Sequence, residues 1–309
     1  MRMPGLKKKD RYENNPWKFL TFADKVFLNI NDFLLLIAMA IVLYPLIYIV
    51  SSSFSSPAAV AAGQVRLLPV DFSLEGYIAV FEHHAIGIGY MNSIIYTVVG
   101  TFVNLTFTVL IAYPLSRARM PGKGLITFLF VFTMIFSGGL IPMYMLNMNL
   151  GLVDTRAVMI LPNAISVFNM IIMRTFFVNN IPEDLNEAAQ IDGCDHIRFL
   201  ISIAIPLSKP ILAVLALFYG VGHWNAFFDA FIYLSNRSLF PLQLVLREIL
   251  LIGQVADVIG DPEALAAQLG LAQLLRFSLI VCASLPFMIV YPFVAKHFVK
   301  GALTGAIKG

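Results

Sequence analysis

The residues best placed to do chemistry lie in an apolar stretch at 206–234, where Tyr219, His223, Trp224, Asn225 and Asp229 interrupt a hydrocarbon-compatible run. A polar or ionisable group inside such a run is costly, so a solute or ion path is its default reading. Asp229 is the only acidic residue well inside an apolar segment. It can accept hydrogen bonds from the hydroxyls of a polar solute, or it can serve an internal ion pair or helix cap. On a continuous helix Phe218, Gly222, Asn225 and Asp229 share one face. Trp224, Phe227, Phe228 and Phe231 can offer stacking surfaces, although aromatics at this spacing more often belong to a bundle core. Gly220 and Gly222 permit close helix packing, and Asn92, Asn104 and Asn163 suit either a path or bonds between helices. His83, His84 and His196 lack metal-ligand spacing, and Cys194 and Cys282 stand apart, so no metal site or disulfide framework is indicated. No GxxxxGK[ST] phosphate loop occurs, so the chain is expected to bind no nucleotide and no cofactor of its own.

A second cluster is polar and lies between apolar stretches, in IPEDLNEAAQIDGCDHIRFLISIAIPLSKP at 181–210. Asn180 can cap a helix here, with Pro182 in its first turn and Glu183 and Asp184 at its positive end. Leu185, Ala188, Ala189 and Asp192 carry helical spacing, and Gly193 ends the helix. A second helix starts over 195–203, and Pro206 and Pro210 predict a kink beyond it. Ala188 and Ala189 allow another surface to approach closely, and Glu187 can accept a charge-assisted hydrogen bond from it. The alternative is an ordered connector that meets nothing.

The elements that must position these residues follow from composition. Of the 309 residues, 59% are hydrophobic and 13% charged, with a mean hydropathy of +0.82. A soluble domain carries roughly 25% charged residues, and a disordered chain is more polar still. The fold class is therefore all-α, a polytopic helix bundle in the lipid bilayer. A formal charge of +3 gives no case for a nucleic-acid partner. Six segments reach crossing length: 33–50, 92–115, 125–146, 157–177, 206–234 and 277–298. Arg2, Lys7, Lys8, Lys9, Arg11, Lys18 and Lys25 precede the first, and Arg117, Arg119 and Lys123 lie between the second and third. Only Arg66 follows the first, and only Arg156 lies between the third and fourth. This asymmetry places both termini and the 181–205 hairpin in the cytoplasm. The expected organisation is a cytoplasmic segment at 1–32, one transmembrane domain at 33–298 and a cytoplasmic tail at 299–309, with outer loops at 51–91 and 235–275. The N-terminus lacks the pattern of a cleaved signal peptide. In the first outer loop, 72–81 has the spacing of a short amphipathic helix. In the second, Asp261-Pro262-Glu263 reads as a helix start.

Glu187-Ala188-Ala189, then Asp192-Gly193, then Ile203 and Ile205-Pro206, resembles the EAA signature of permease subunits in binding-protein-dependent ABC importers. Ile205 stands where the usual form has leucine, which keeps an apolar residue there. The end of the chain, KGALTGAIKG, resembles the glycine-rich tail of the maltose-transporter type of sugar permease, with Gly301, Gly305 and Gly309 able to thread a narrow slot. LFPLQLVLREIL at 239–250 is similar to a segment of permeases in a complex-oligosaccharide subgroup, of alginate or rhamnogalacturonan type. The resemblance spans essentially the whole chain. It implies a six-span, type I importer-like permease in the bacterial cytoplasmic (inner) membrane. It further implies a homologous second permease that completes the path, a dimer of ABC ATPase subunits that uses ATP and magnesium, and an extracytoplasmic solute-binding protein that delivers a carbohydrate. Glu187, Ala188, Ala189, Asp192 and Gly193 would then couple to the ATPase, and the tail would enter the ATPase interface. Tyr219, Trp224, Asn225, Phe228 and Asp229 would be the substrate-path candidates.

Two other classes make different demands on the sequence. An ion-coupled secondary transporter calls for internal inverted repeats and ion ligands at discontinuous helices. A membrane-embedded enzyme calls for several carboxylates, histidines or a nucleophile converging near one membrane face, which Asp229 and His223 alone do not supply.

Overall fold

Helices form every regular element, apart from short turns, among the described residues of this computed structural model, which are 20–256, 273–290 and 292. Three of them, α1 (Phe22–Ser53), α4 (His84–Ser116) and α13 (Gln273–Val290), are long and apolar enough to cross a membrane. Two bent pairs raise this to five: α5 (Lys123–Ile135) with α6 (Leu140–Asn149), and α9 (His196–Leu207) with α10 (Lys209–Trp224). The order is completed by α2 (Pro57–Ala61), α3 (Glu75–Glu82), α7 (Val167–Asn180), α8 (Glu183–Ile191), α11 (Phe228–Tyr233) and α12 (Leu242–Ala256).

Hydropathy alone reads the spans as continuous rods, and local chemistry corrects this in several places. The helix that carries the first extends back to Phe22, ahead of the apolar run at 33–50, because Thr21 and Asp24 cap it reciprocally: the Asp24 amide donates to Thr21 Oγ1 and the Thr21 amide to Asp24 Oδ2. The segment 125–146 bends by 114° between α5 and α6, where Gly139 takes a left-handed φ of 86°. The segment 157–177 starts as a 3-10 turn, Arg156–Met159, passes Pro162 and becomes helical only after Ser166 caps α7. The segment 206–234 ends its main helix at Trp224 and resumes as α11.

α4 is the post around which the others pack. Asn92, Tyr96, Gly100, Asn104, Thr108 and Ala112 recur every four residues along it, and all are buried. At one end, a core of Val80, Ile86, Tyr96, Trp224, Leu242 and Leu279 joins α3, α4, α10, α12 and α13. At the other, Val109, Tyr113, Met170, Phe177, Phe199 and Leu215 join α4, α7, α9 and α10. Where helices meet in hydrocarbon, small residues replace hydrophobic drive with close packing. A methyl group at Gly100 would overlap the His223 ring of α10, and one at Gly89 would press on the Leu242 backbone of α12.

The connection after α1 is tied down by serines. Ser51 Oγ donates to the Leu67 carbonyl at 2.7 Å, Ser55 Oγ accepts from the Val70 amide at 3.0 Å, and Ser53 Oγ lies 2.8 Å from the Tyr77 hydroxyl of α3. Burial raises the Tyr77 phenol above its ordinary value, with the Ser53 bond opposing. The expected amphipathic helix at 72–81 is α3, shifted to Glu75–Glu82. α1 itself lies almost wholly exposed: its apolar window is 0% buried within this chain.

Gly100→Ala should destabilise the bundle by about 1–3 kcal/mol through overpacking against His223. Gly222→Ala, where a methyl meets open space, should leave the melting temperature unchanged or raise it. Thermal unfolding of the detergent-solubilised protein, followed by circular dichroism, checks the pair.

Candidate functional site

The break after Trp224 decides where the polar residues of 206–234 end up. Asn225 turns its side-chain amide back to the Val221 carbonyl at 2.9 Å and caps α10, competing with helix continuation. The chain re-enters a helix only at Phe228. The shared face expected of Phe218, Gly222, Asn225 and Asp229 is therefore corrected. Phe218, Gly222 and Asp229 border one cavity of about 310 Å³, whereas Asn225 borders another of about 440 Å³ together with Trp224.

The smaller cavity contains a connected polar chain. His223 Nε2 lies 2.6 Å from Asn104 Oδ1, and Asn104 Nδ2 donates to the Asn163 carbonyl at 2.6 Å. Asn163 Nδ2 in turn donates to Asp229 Oδ2 at 2.9 Å. Asp229 thus meets an amide, and no cation is paired with it among the described residues. Tyr219 borders the same cavity, but its hydroxyl is bonded to Thr108 Oγ1 at 2.7 Å. Trp224 is a core residue: its indole N–H donates to the Ala283 carbonyl at 3.0 Å, and its ring meets Tyr90 and Phe287 edge-on. Phe228 is half exposed, lies edge-on to Phe227 and borders neither cavity.

The hairpin forms at the far end of α4. α8 starts after Pro182, whereas Asn180, expected as its cap, is the last residue of α7. Asp192 closes α8, and Gly193 makes the turn with φ of 79°. Asp195 then caps α9 by accepting from the Arg198 amide at 2.7 Å. α9 passes through a π-helical turn, Leu200–Ala204, before an 82° bend carries the chain into α10. The two alanines divide: Ala188 is exposed, whereas Ala189 packs against the inner core. The hairpin also exposes large apolar side chains, Ile191 at 87% and Ile197 at 70%.

Residue-type reasoning alone passes over what holds this hairpin in place. Arg117, buried at the end of α4, reaches Glu183 at 3.4 Å, donates to Ser116 Oγ and lies over the Tyr113 ring at 5.2 Å. Arg119 pairs with Glu187 at 2.7 Å in the open. Together they line a groove of about 560 Å³ between α4 and the hairpin. The sequence signal is opposite charge in two connections, Arg117 and Arg119 in one and Glu183 and Glu187 in the other. Gly301, Gly305, Gly309 and the helix start at Asp261 lie outside the described residues.

No family model matches the chain. Over 272 residues it is 42% identical to protein LplC of Bacillus subtilis (strain 168), covering 87% of this chain and 90% of that one. Over 286 residues it is 40% identical to the polygalacturonan/rhamnogalacturonan transport system permease protein YtcP of the same organism, covering 91% and 97%. The crystal structure of a bacterial ABC transporter involved in the import of the acidic polysaccharide alginate matches with a TM-score of 0.82 at 37% identity. That match covers 91% of this chain and 99% of the other.

The two arginines should respond differently to truncation. Arg117→Ala leaves Glu183 partly buried without its cation and should cost about 1–3 kcal/mol, while the exposed Arg119→Ala should cost about 0–1 kcal/mol. Limited proteolysis at the hairpin, alongside thermal unfolding, checks this: Arg117→Ala should cut faster and melt earlier, and Arg119→Ala should match the parent.

Proposed function

Because the chain belongs to the permease subunits of carbohydrate ABC importers, we propose that it forms half of the path through which an acidic oligosaccharide crosses the bacterial cytoplasmic membrane. The chain is a transport subunit and not an enzyme. A homologous second permease completes the path. An extracytoplasmic binding protein delivers the sugar to loops 51–91 and 235–275, and a dimer of cytoplasmic ATPase subunits uses ATP and magnesium to drive the cycle. The distribution of Lys and Arg supports cytoplasmic termini, with 1–32 and the 299–309 tail on either side of the 33–298 transmembrane domain.

The observation that carries this reading is the hairpin. It combines an anchored base, Arg117–Glu183, with an exposed tip of Ala188, Ile191 and Ile197. Apolar surface rimmed by charge is what a partner surface covers, and a small residue at its centre permits close approach. Glu187, Ala188, Asp192 and Gly193 are assigned to the ATPase contact, and Ala189 holds the same helix against the bundle. The tail glycines Gly301, Gly305 and Gly309 are assigned to the ATPase interface by their likeness to the family's tail. The exposed face of α1 supports burial against lipid and the second permease.

Inside the bundle, Asp229, with Asn163, is assigned to hydroxyl recognition on the path. Asp229 borders a cavity, and among the described residues only its Oδ2 is engaged, by Asn163. Asn225 borders the path, Trp224 and Tyr219 act through the packing that shapes it, and Phe228, outside both cavities, is kept only as an exposed aromatic surface.

Glu187→Lys should lower ATPase assembly and substrate-stimulated ATP hydrolysis. The exchange Arg119→Glu with Glu187→Arg, which restores the internal ion pair, should not rescue either. Rescue by the exchange would mean that Glu187 acts within this chain alone. Asp229→Asn, with folding intact, should slow oligosaccharide uptake by about tenfold, the equivalent of one charge-assisted hydrogen bond. Uptake assays in proteoliposomes with neutral and anionic oligosaccharides check it, and unchanged rates for all of them would remove Asp229 from the path.

A further inference from the structure

Arg247 stands on α12 with no acidic partner among the described residues. Its guanidinium carbon lies 4.3 Å from the centre of the Phe231 ring and 6.0 Å from that of Phe227. Among the described residues no ion pair or hydrogen bond engages its N–H groups. Its neighbour Glu248 turns to Arg237, at 3.9 Å. Phe227 and Phe231 are one turn apart, the Phe231 amide donating to the Phe227 carbonyl. Asp229, midway between them, therefore points to the opposite side, where it meets Asn163. A guanidinium laid on aromatic faces is fixed and partly stripped of water, and its fork of donors stays open at the edge.

One turn before Arg247, Gln243 lines the cleft of about 440 Å³ between α10, α12 and α13, together with Asn225, Trp224 and Ser284. A fixed cation one helical turn along α12 from the cleft-lining Gln243, with the carboxamide of Asn225 across the same cleft, has the chemistry of an acidic sugar site. The fork binds a carboxylate in bidentate fashion, and the amides serve ring hydroxyls.

We propose that Arg247 is a specificity-determining residue of the path, which takes the carboxylate of a uronate unit while Gln243 and Asn225 hold that unit's hydroxyls. The proposal rests on the reading of this chain as an oligosaccharide importer's permease. It explains how a path containing Asp229 can accept anionic cargo: the carboxylate of the protein and the guanidinium face different sides of α11, so each meets a different part of the sugar.

The test uses the complete complex of both permeases, ATPase dimer and binding protein in proteoliposomes, with trigalacturonate and its neutral methyl ester as probes. Uptake is measured at saturating binding protein, so that affinity upstream of the membrane does not enter. Arg247→Gln should lower the turnover of trigalacturonate by about tenfold, as expected for loss of one charge-assisted pair, and change that of the ester by less than about twofold. Arg247→Lys should fall between parent and Arg247→Gln for trigalacturonate only. The ratio of the two probes is read in the same vesicles, so loss of assembled complex does not alter it. An equal effect on both probes, or none on either, overturns the proposal. A parent complex that carries the ester but not trigalacturonate overturns the Arg247 assignment alone, and one that carries neither overturns the oligosaccharide reading with it.

Discussion

A carbonyl freed from a helix inside hydrocarbon has no water to turn to, so the protein must supply the donor. This chain breaks several of its apolar segments, and α4 answers much of the resulting demand. Asn92 donates to the carbonyls of Ser238 and Phe240, Tyr96 to that of Leu239, and Asn104 to that of Asn163. Arg156 reaches the remaining oxygen of Asn92 at 3.1 Å, and Arg174 caps the end of α4 by donating to the Leu115 carbonyl at 3.0 Å. The irregular turns at 160–166 and 234–241 are tolerable because one straight helix carries a row of donors along their path. Without that row, each break would leave a buried acceptor unmatched, at about 1–3 kcal/mol apiece.

The same row links the two ends of the molecule. Asn104 and Thr108 bond to His223 and Tyr219 of α10, and α10 is continuous, through one 82° bend, with the α9 arm of the hairpin. The tip of the hairpin and the cavity at Asp229 are thus two ends of one bent helical pair held against one post. At the bend, Ser208 has its amide satisfied by Ala204 and Ile205, while its buried hydroxyl has no partner. Pro206 and Pro210, which carry no amide donor, flank it.

Much of this was legible before any coordinates. Composition and charge placement gave the all-helical membrane class, and the Glu187–Gly193 pattern gave a hairpin with a glycine turn. The kink at Pro206 and Pro210 is where proline must put it. What escaped is equally specific. Hydropathy windows do not register a helix that stops at Asn225, because its immediate neighbours, Trp224 and Ala226, are apolar and no proline stands at the stop. The side chain of Asn225 makes the stop, and that is a matter of local competition rather than of average polarity. Arg117 looked like one more positive charge of a cytoplasmic loop, although it is the buried root of the hairpin. The stripe of α4 was visible only in part, as Asn92 and Asn104, since its four-residue period mixes polar, aromatic and small residues and so cancels in any hydrophobicity average.

The proposed coupling turns on a hairpin that leaves one alanine exposed and packs the next against the bundle. Disulfide trapping in the complete complex tests this directly, with Cys194 and Cys282 replaced and single cysteines placed at Ala188 or Ala189 opposite a series of cysteines on the ATPase surface. The account predicts that Ala188→Cys is trapped to the ATPase in a nucleotide-dependent manner and that Ala189→Cys is not. Trapping at Ala189→Cys as strong as at Ala188→Cys, or none at Ala188→Cys in a complex that still hydrolyses ATP in response to loaded binding protein, would contradict it.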